Sequence, residues 1–175
     1  MTKNFAAFIW GLWIWGAVTS SSLAESDFQR QSLHGLPGVW VVVEQLSPEL
    51  EQAGLTRDQA QRDTEEKLRK AGITLLTQEE CWQTPGMPWL YITAALLKAS
   101  DTTYATTIGV SLNQEVTLTR DSQIKTFGVT WDAGVHLGAV GRDSLSSVRE
   151  HVGRLVDKFI AGYQAVNRKG KSDQR

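Results

Sequence analysis

The chain has 175 residues, 18 Lys/Arg against 19 Asp/Glu, a formal net charge of −1 and a single cysteine. Near-neutral charge with both signs interspersed argues against a nucleic-acid partner, which requires a concentrated basic face. One cysteine excludes an internal disulfide framework, so stability must come from the core alone.

The first residues read as an address. Lys3, an apolar stretch from Phe5 to Val18 and a small polar region ending Ser22-Leu23-Ala24 form the three parts of a secretory signal, with cleavage expected after Ala24. The apolar stretch is shorter than the about 20 residues that span a bilayer. Trp10, Trp13 and Trp15 would suit an interface, so an uncleaved anchor is the alternative, and the membrane would then enter only through this segment. No Cys follows the cleavage site to carry a lipid. The expected location is periplasmic or secreted.

Residues 25–37 are expected to form a lead, 38–167 a single α+β domain and 168–175 a basic, disordered tail. "GVWVVVEQL" (38–46) is β-branched and apolar between Pro37 and Ser47-Pro48, as in a buried strand. Thr56 and Gln59 have capping-box spacing, Ala60, Thr64, Leu68 and Ala71 share one helical face, and Gly72 ends the helix. "ITLLT" (73–77) reads as a second strand, and "EECWQTPGMPW" as a loop exposed near Pro85-Gly86. "WLYITAALLKA" (89–99) is a third strand. From Tyr104 to Leu118 the apolar residues Tyr104, Ile108, Val110, Leu112, Val116 and Leu118 hold a period of two, which predicts a long antiparallel strand with one face buried; Gly109 is a place for it to bend. "IKTFGVTW" repeats the alternation, with Phe127, Val129 and Trp131 expected on one side. Asp143 to Val166 carries the widest helical apolar face and expects Asp143 as its cap. The order β-α-β-β-β-β-α predicts a two-layer α/β sandwich: a mixed, mostly antiparallel sheet with two helices on one face.

Chemistry is sparse. The glycines of "WDAGVHLGAVG" (131–141) run G-x-x-x-G-x-x-G, with His136 where a dinucleotide fingerprint needs its second glycine, and no Lys-Ser/Thr follows. They read as a strand-to-helix connection, not a phosphate loop. His34, His136 and His151 show no metal-ligand spacing, so no metal and no cofactor is expected. Without G-x-S-x-G, Ser144 and Ser146 have no nucleophile context, and no catalytic residue is assigned. Asp132 with His136 is the alternative site, that of a small hydrolase-like periplasmic enzyme. Glu65-Glu66 and Glu79-Glu80 read as solvated, Glu44 as half-buried on the face of Trp40 and Val42, and Cys81 as a packed thiol beside Trp82. The leading functional feature is the sheet face opposite the core, where Tyr91, Thr107, Ser111, Thr126 and Thr130 are expected to make a flat, uncharged docking surface for an envelope protein or polymer.

The runs "LPGVWVVVEQL…GLTRDQAQRDTEEKLRKAGITLL", "PWLYITAALLK" and "VTWDAGVHLGAVGRDSLSSVREHVGRLVDKFIAGYQAVN" resemble a family of small exported bacterial proteins of unknown function, over nearly all of the chain after Ala24. The resemblance implies an envelope or secreted protein and brings no catalytic or binding residues with it. At the level of fold alone, the strand-helix-strand start is similar to small sandwich domains of periplasmic assembly proteins. The expected function is therefore an exported binding or adaptor domain without catalysis.

Overall fold

The period-two pattern beginning at Tyr104 produces the central element of the protein, β3 (Thr103–Leu118), and the other strands are arranged around it. The computed structural model describes residues 27–52 and 55–167; the expected export segment 1–24 and the tail 168–175 lie outside the described residues. Upstream are α1 (Asp27–Gln31), β1 (Trp40–Val43), α2 (Pro48–Gln52), α3 (Arg57–Lys70), α4 (Gln78–Gln83) and β2 (Trp89–Lys98). Downstream are β4 (Asp121–Asp132), β5 (His136–Gly141), a 3-10 turn at Arg142–Ser144 and α5 (Ser147–Asn167). The sheet runs β1-β2-β3-β4, with β5 also paired to β3. Only β1 and β2 are parallel; the remaining pairs are antiparallel. It is an open α+β sandwich.

β3 is flanked by β2 on one edge and by two strands end to end on the other. β5 pairs Thr103–Ile108, and β4 pairs Ser111–Leu118. Gly109 lies where the outer partner changes.

The helices seal one face. Val41 and Val43 of β1, Leu90 and Ile92 of β2, and Ile108, Val110 and Leu112 of β3 are buried with Leu68 of α3 and Val148, Val152, Val156 and Phe159 of α5. Thr56 caps α3 by accepting from the Gln59 N–H at 3.1 Å, and Gly72, at φ +77°, turns the chain out of it. The lead is packed as well: Leu33 and Leu36 are buried, and Asn167 at the end of α5 donates to the Leu33 carbonyl at 2.8 Å.

Four local expectations are corrected. "ITLLT" forms only a single parallel bridge, Val39 to Leu75; Thr77 at once caps α4 through a reciprocal bond with Glu80, and the chain leaves the sheet. The supposed loop after it therefore begins as a helix, with Cys81 buried inside and Trp82 exposed outside. The fifth strand comes instead from within the glycine connection, as β5. Finally, Asp143 lies in the 3-10 turn and makes no capping bond; the continuous helix starts four residues later.

A fifth correction changes a whole surface. Leu112 faces Trp131, but Asn113 faces Val129, so Thr130 is an extra residue, a β-bulge. The bulge is held by its own hydrogen bonds: Gln114 donates to the Thr130 hydroxyl at 2.7 Å, and Ser32 donates to the Thr130 carbonyl at 3.0 Å. Trp131 consequently enters the core, edge-on to Phe159 at 5.2 Å, while Phe127 and Val129 turn to the uncovered face. Truncating the contact should be costly: Phe159→Ala is expected to lower unfolding free energy by about 3–5 kcal/mol in urea denaturation, through lost burial and a residual cavity.

Candidate functional site

Register places side chains on the uncovered face in rows. Trp40, Trp89, Asn113 and Val129 form one row; Val42, Tyr91, Ser111 and Asp132 the next; Ala95, Thr107 and Leu137 another; Leu97, Ala105 and Ala139 the last. Trp89 and Phe127 meet edge-on across β3, with centroids 5.0 Å apart. Leu97, Leu137, Phe127 and Val129 are 71, 74, 56 and 58% exposed. Apolar groups thus crowd both ends of the face, and small polar residues occupy its centre. Gly109 has a specific part there, since a Cβ would stand 3.0 Å from the Thr93 hydroxyl.

Of the residues expected on this surface, Tyr91, Thr107 and Ser111 are brought together. Thr126 pairs with Val116 and so belongs to the helix side, and Thr130 is consumed by the bulge. The period-two reading failed here because it contains no signal for an inserted residue. Trp40, Trp89 and Leu137 were missed; Trp89 shares the face of Tyr91 by simple alternation, whereas the side taken by Leu137 follows only from the pairing of β5 with β3.

Charge on the face is limited. Glu115 is paired with Lys125 at 2.9 Å. Glu44 follows Val42 off the end of β1 and hydrogen-bonds Tyr91; burial first, and then the Glu44 charge and this bond, raise the Tyr91 phenol above its ordinary value.

Asp132 and His136 do not form a dyad. Asp132 lies in the row of Ser111 on the open face and accepts from the Gly134 N–H. His136 pairs with Ile108 and points to the helix side, against His151. Cys81 is buried, its thiol donates to the Pro88 carbonyl at 3.4 Å, and burial pushes its pKa up, the reverse of an activated nucleophile. Among the described residues, no group of three or more His, Cys, Asp or Glu could hold a metal.

A concavity of about 700 Å³ is elsewhere, between α3 and α5. Its walls are cross-braced by charge: Arg149 forks onto Asp63 at 2.6 and 3.0 Å, and Lys67 meets Asp157 at 2.7 Å. These pairs clamp the two helices together. The Arg149 hydrogen bond holds the Asp63 carboxyl below its ordinary value of 3.8.

Two outcomes follow. Because Asp63 is depressed in the folded state, the clamp contributes fully above the unfolded carboxyl's range and is lost as pH falls through the folded value; Arg149→Met should cost up to about 1 kcal/mol at pH 7 in urea denaturation and nothing at the acid end. Glu44→Gln should lower the Tyr91 ionisation midpoint, followed by ring NMR, only part of the way, since burial is the larger cause. No protein-family model matches the chain, and neither curated proteins nor solved structures show significant similarity to it.

Proposed function

We propose that the chain is an exported envelope domain that works by docking another protein on the open face of its sheet, without catalysis. The observation that carries this reading is the exposure of Leu97, Leu137, Phe127 and Val129 on a face that no helix among the described residues covers. Exposed apolar groups on this scale are costly in water unless a partner removes them. The sixteen residues of β3 extend over about 50 Å and three strand widths over about 14 Å, offering roughly 700 Å². That is near the about 800 Å² each side gives to a standard protein interface. The mixture of aromatic and aliphatic groups with Thr, Ser and Asn, and little net charge, matches the composition of such interfaces.

The N-terminal sequence supports export, and with it an envelope partner. The hydrolase-like alternative loses its support, since its two residues lie on opposite faces of the sheet.

Photo-crosslinking residues introduced at Leu97, Phe127 and Leu137 are expected to capture the same discrete envelope protein in intact cells, while positions on the outer side of α3, such as Arg69, capture none. The Leu97→Lys/Leu137→Lys double variant should abolish the adduct formed at Phe127 and retain the native circular dichroism. Equal labelling from both sides of the molecule, or an adduct indifferent to the lysines, would overturn the reading.

A further inference from the structure

On the helix side of the sheet, remote from the docking face, four basic side chains gather where β5 runs beside α5. The imidazoles of His136 and His151 stack with centroids 4.3 Å apart and planes tilted by 33°. Along α5, His151, Arg154 and Lys158 recur at i, i+3 and i+7 and so line one side of the helix. Lys158 donates to the carbonyl of Ala133 at 3.1 Å, three residues before His136, and Arg154, between His151 and Lys158 on the helix, also borders the concavity toward α3.

Local contacts orient the two rings. His151 Nδ1 lies 2.8 Å from the carbonyl of Ser147; a carbonyl only accepts, so Nδ1 carries the proton and Nε2 is left for another partner. Gly138 leaves space for the neighbouring ring, since a Cβ there would stand 3.2 Å from His136 Nε2 and 3.3 Å from the Thr106 hydroxyl.

No acid balances these groups closely. Arg154 reaches Glu150 only at 3.9 Å, and among the described residues neither His nor Lys158 forms an ion pair with a carboxylate. β3 presents the uncharged Thr106 and Ile108 beside His136, and Asp132 is on the other face. The opposite flank of α5 differs: there Arg149 and Asp157 are both neutralised by α3. Burial, then His151, Arg154 and Lys158, hold His136 below its ordinary value, so the surroundings resist a further positive charge.

Fixed positive charge with free donors complements an oxyanion. A guanidinium fork, an ammonium and two imidazoles can serve several oxygens of a tetrahedral phosphate, and its negative charge rewards protonation of an imidazole. A carboxylate would use fewer of the donors.

We propose that His136, His151, Arg154 and Lys158 form a binding site for a phosphate group, presented either as free phosphate or as a phospholipid headgroup. This site and the docking face lie on opposite sides of the sheet, so one can fail without the other. Binding strengthens as pH falls through the imidazole range, because the ligand restores the protonation that the cluster alone disfavours.

The test follows the imidazole resonances of the full chain by NMR during pH titration, in inorganic phosphate and in chloride of equal ionic strength. Flotation with phosphatidylglycerol vesicles against phosphatidylcholine vesicles provides the second arm. Free-phosphate binding should raise the His136 midpoint by about half a pH unit or more. Headgroup binding should give phosphatidylglycerol-dependent flotation that is strongest below pH 6.5. The Arg154→Gln/Lys158→Gln variant, with circular dichroism unchanged, should lose whichever response is seen. Identical midpoints in phosphate and chloride without lipid-specific flotation would overturn the proposal, as would a response that survives in the variant.

Discussion

One inserted residue, Thr130, sets the character of both faces of this molecule. Without it β4 would keep a single phase, and the strand could not place Trp131 in the core while directing Val129 and Phe127 outward. With it, the tryptophan fills the space against Phe159 and the aromatic end of the open face is assembled around Trp89. The bulge frees backbone and side-chain polar groups that must find partners, and it finds them in Gln114 and Ser32. The latter ties the first helix and the lead segment to the sheet. A local irregularity thus couples the N-terminal segment, the core and the exposed surface.

The sequence discloses the elements whose signal is local. The alternation along β3, the capped start and glycine end of α3 and the wide apolar stripe of α5 are periodic patterns read without knowledge of neighbours, and the layered α+β class follows from them. β5 was hidden because "HLGAVG" contains only one β-branched residue and two glycines; it is a strand by virtue of its bonds to Thr103–Ile108, far away in sequence. α4 had a legible start in Thr77 and Glu80 but too few residues to show a period. Conversely, "ITLLT" has strand composition and makes only one bridge, because the helix cap at Thr77 draws the chain away. The site fared in the same manner: Tyr91, Thr107 and Ser111 share a face by simple alternation, whereas Thr126 and Thr130 lie beyond the point where the phase breaks.

Electrostatics divide α5 lengthwise. Its flank toward α3 is stitched by Asp63–Arg149 and Lys67–Asp157, and these charges serve assembly of the helical layer. Its flank toward β5 has His151, Arg154 and Lys158 with no comparable acid opposite, because the short strand there supplies a histidine, a leucine, an alanine, a valine and glycines. The same helix is neutralised where it builds structure and left charged where it borders solvent.

The division of one edge of β3 between two strands has a dynamic consequence. A continuous partner strand would make the edge open and close as a unit, with all of its amides gaining protection together. Here the bonds at Thr103–Ile108 and those at Ser111–Leu118 belong to different segments, joined through the short link at 133–135. β4 is braced by the buried Trp131, while β5 adds few buried side chains of its own. Opening of β5 therefore need not cross the barrier that protects β4, and the sheet contains two cooperative units along a single edge.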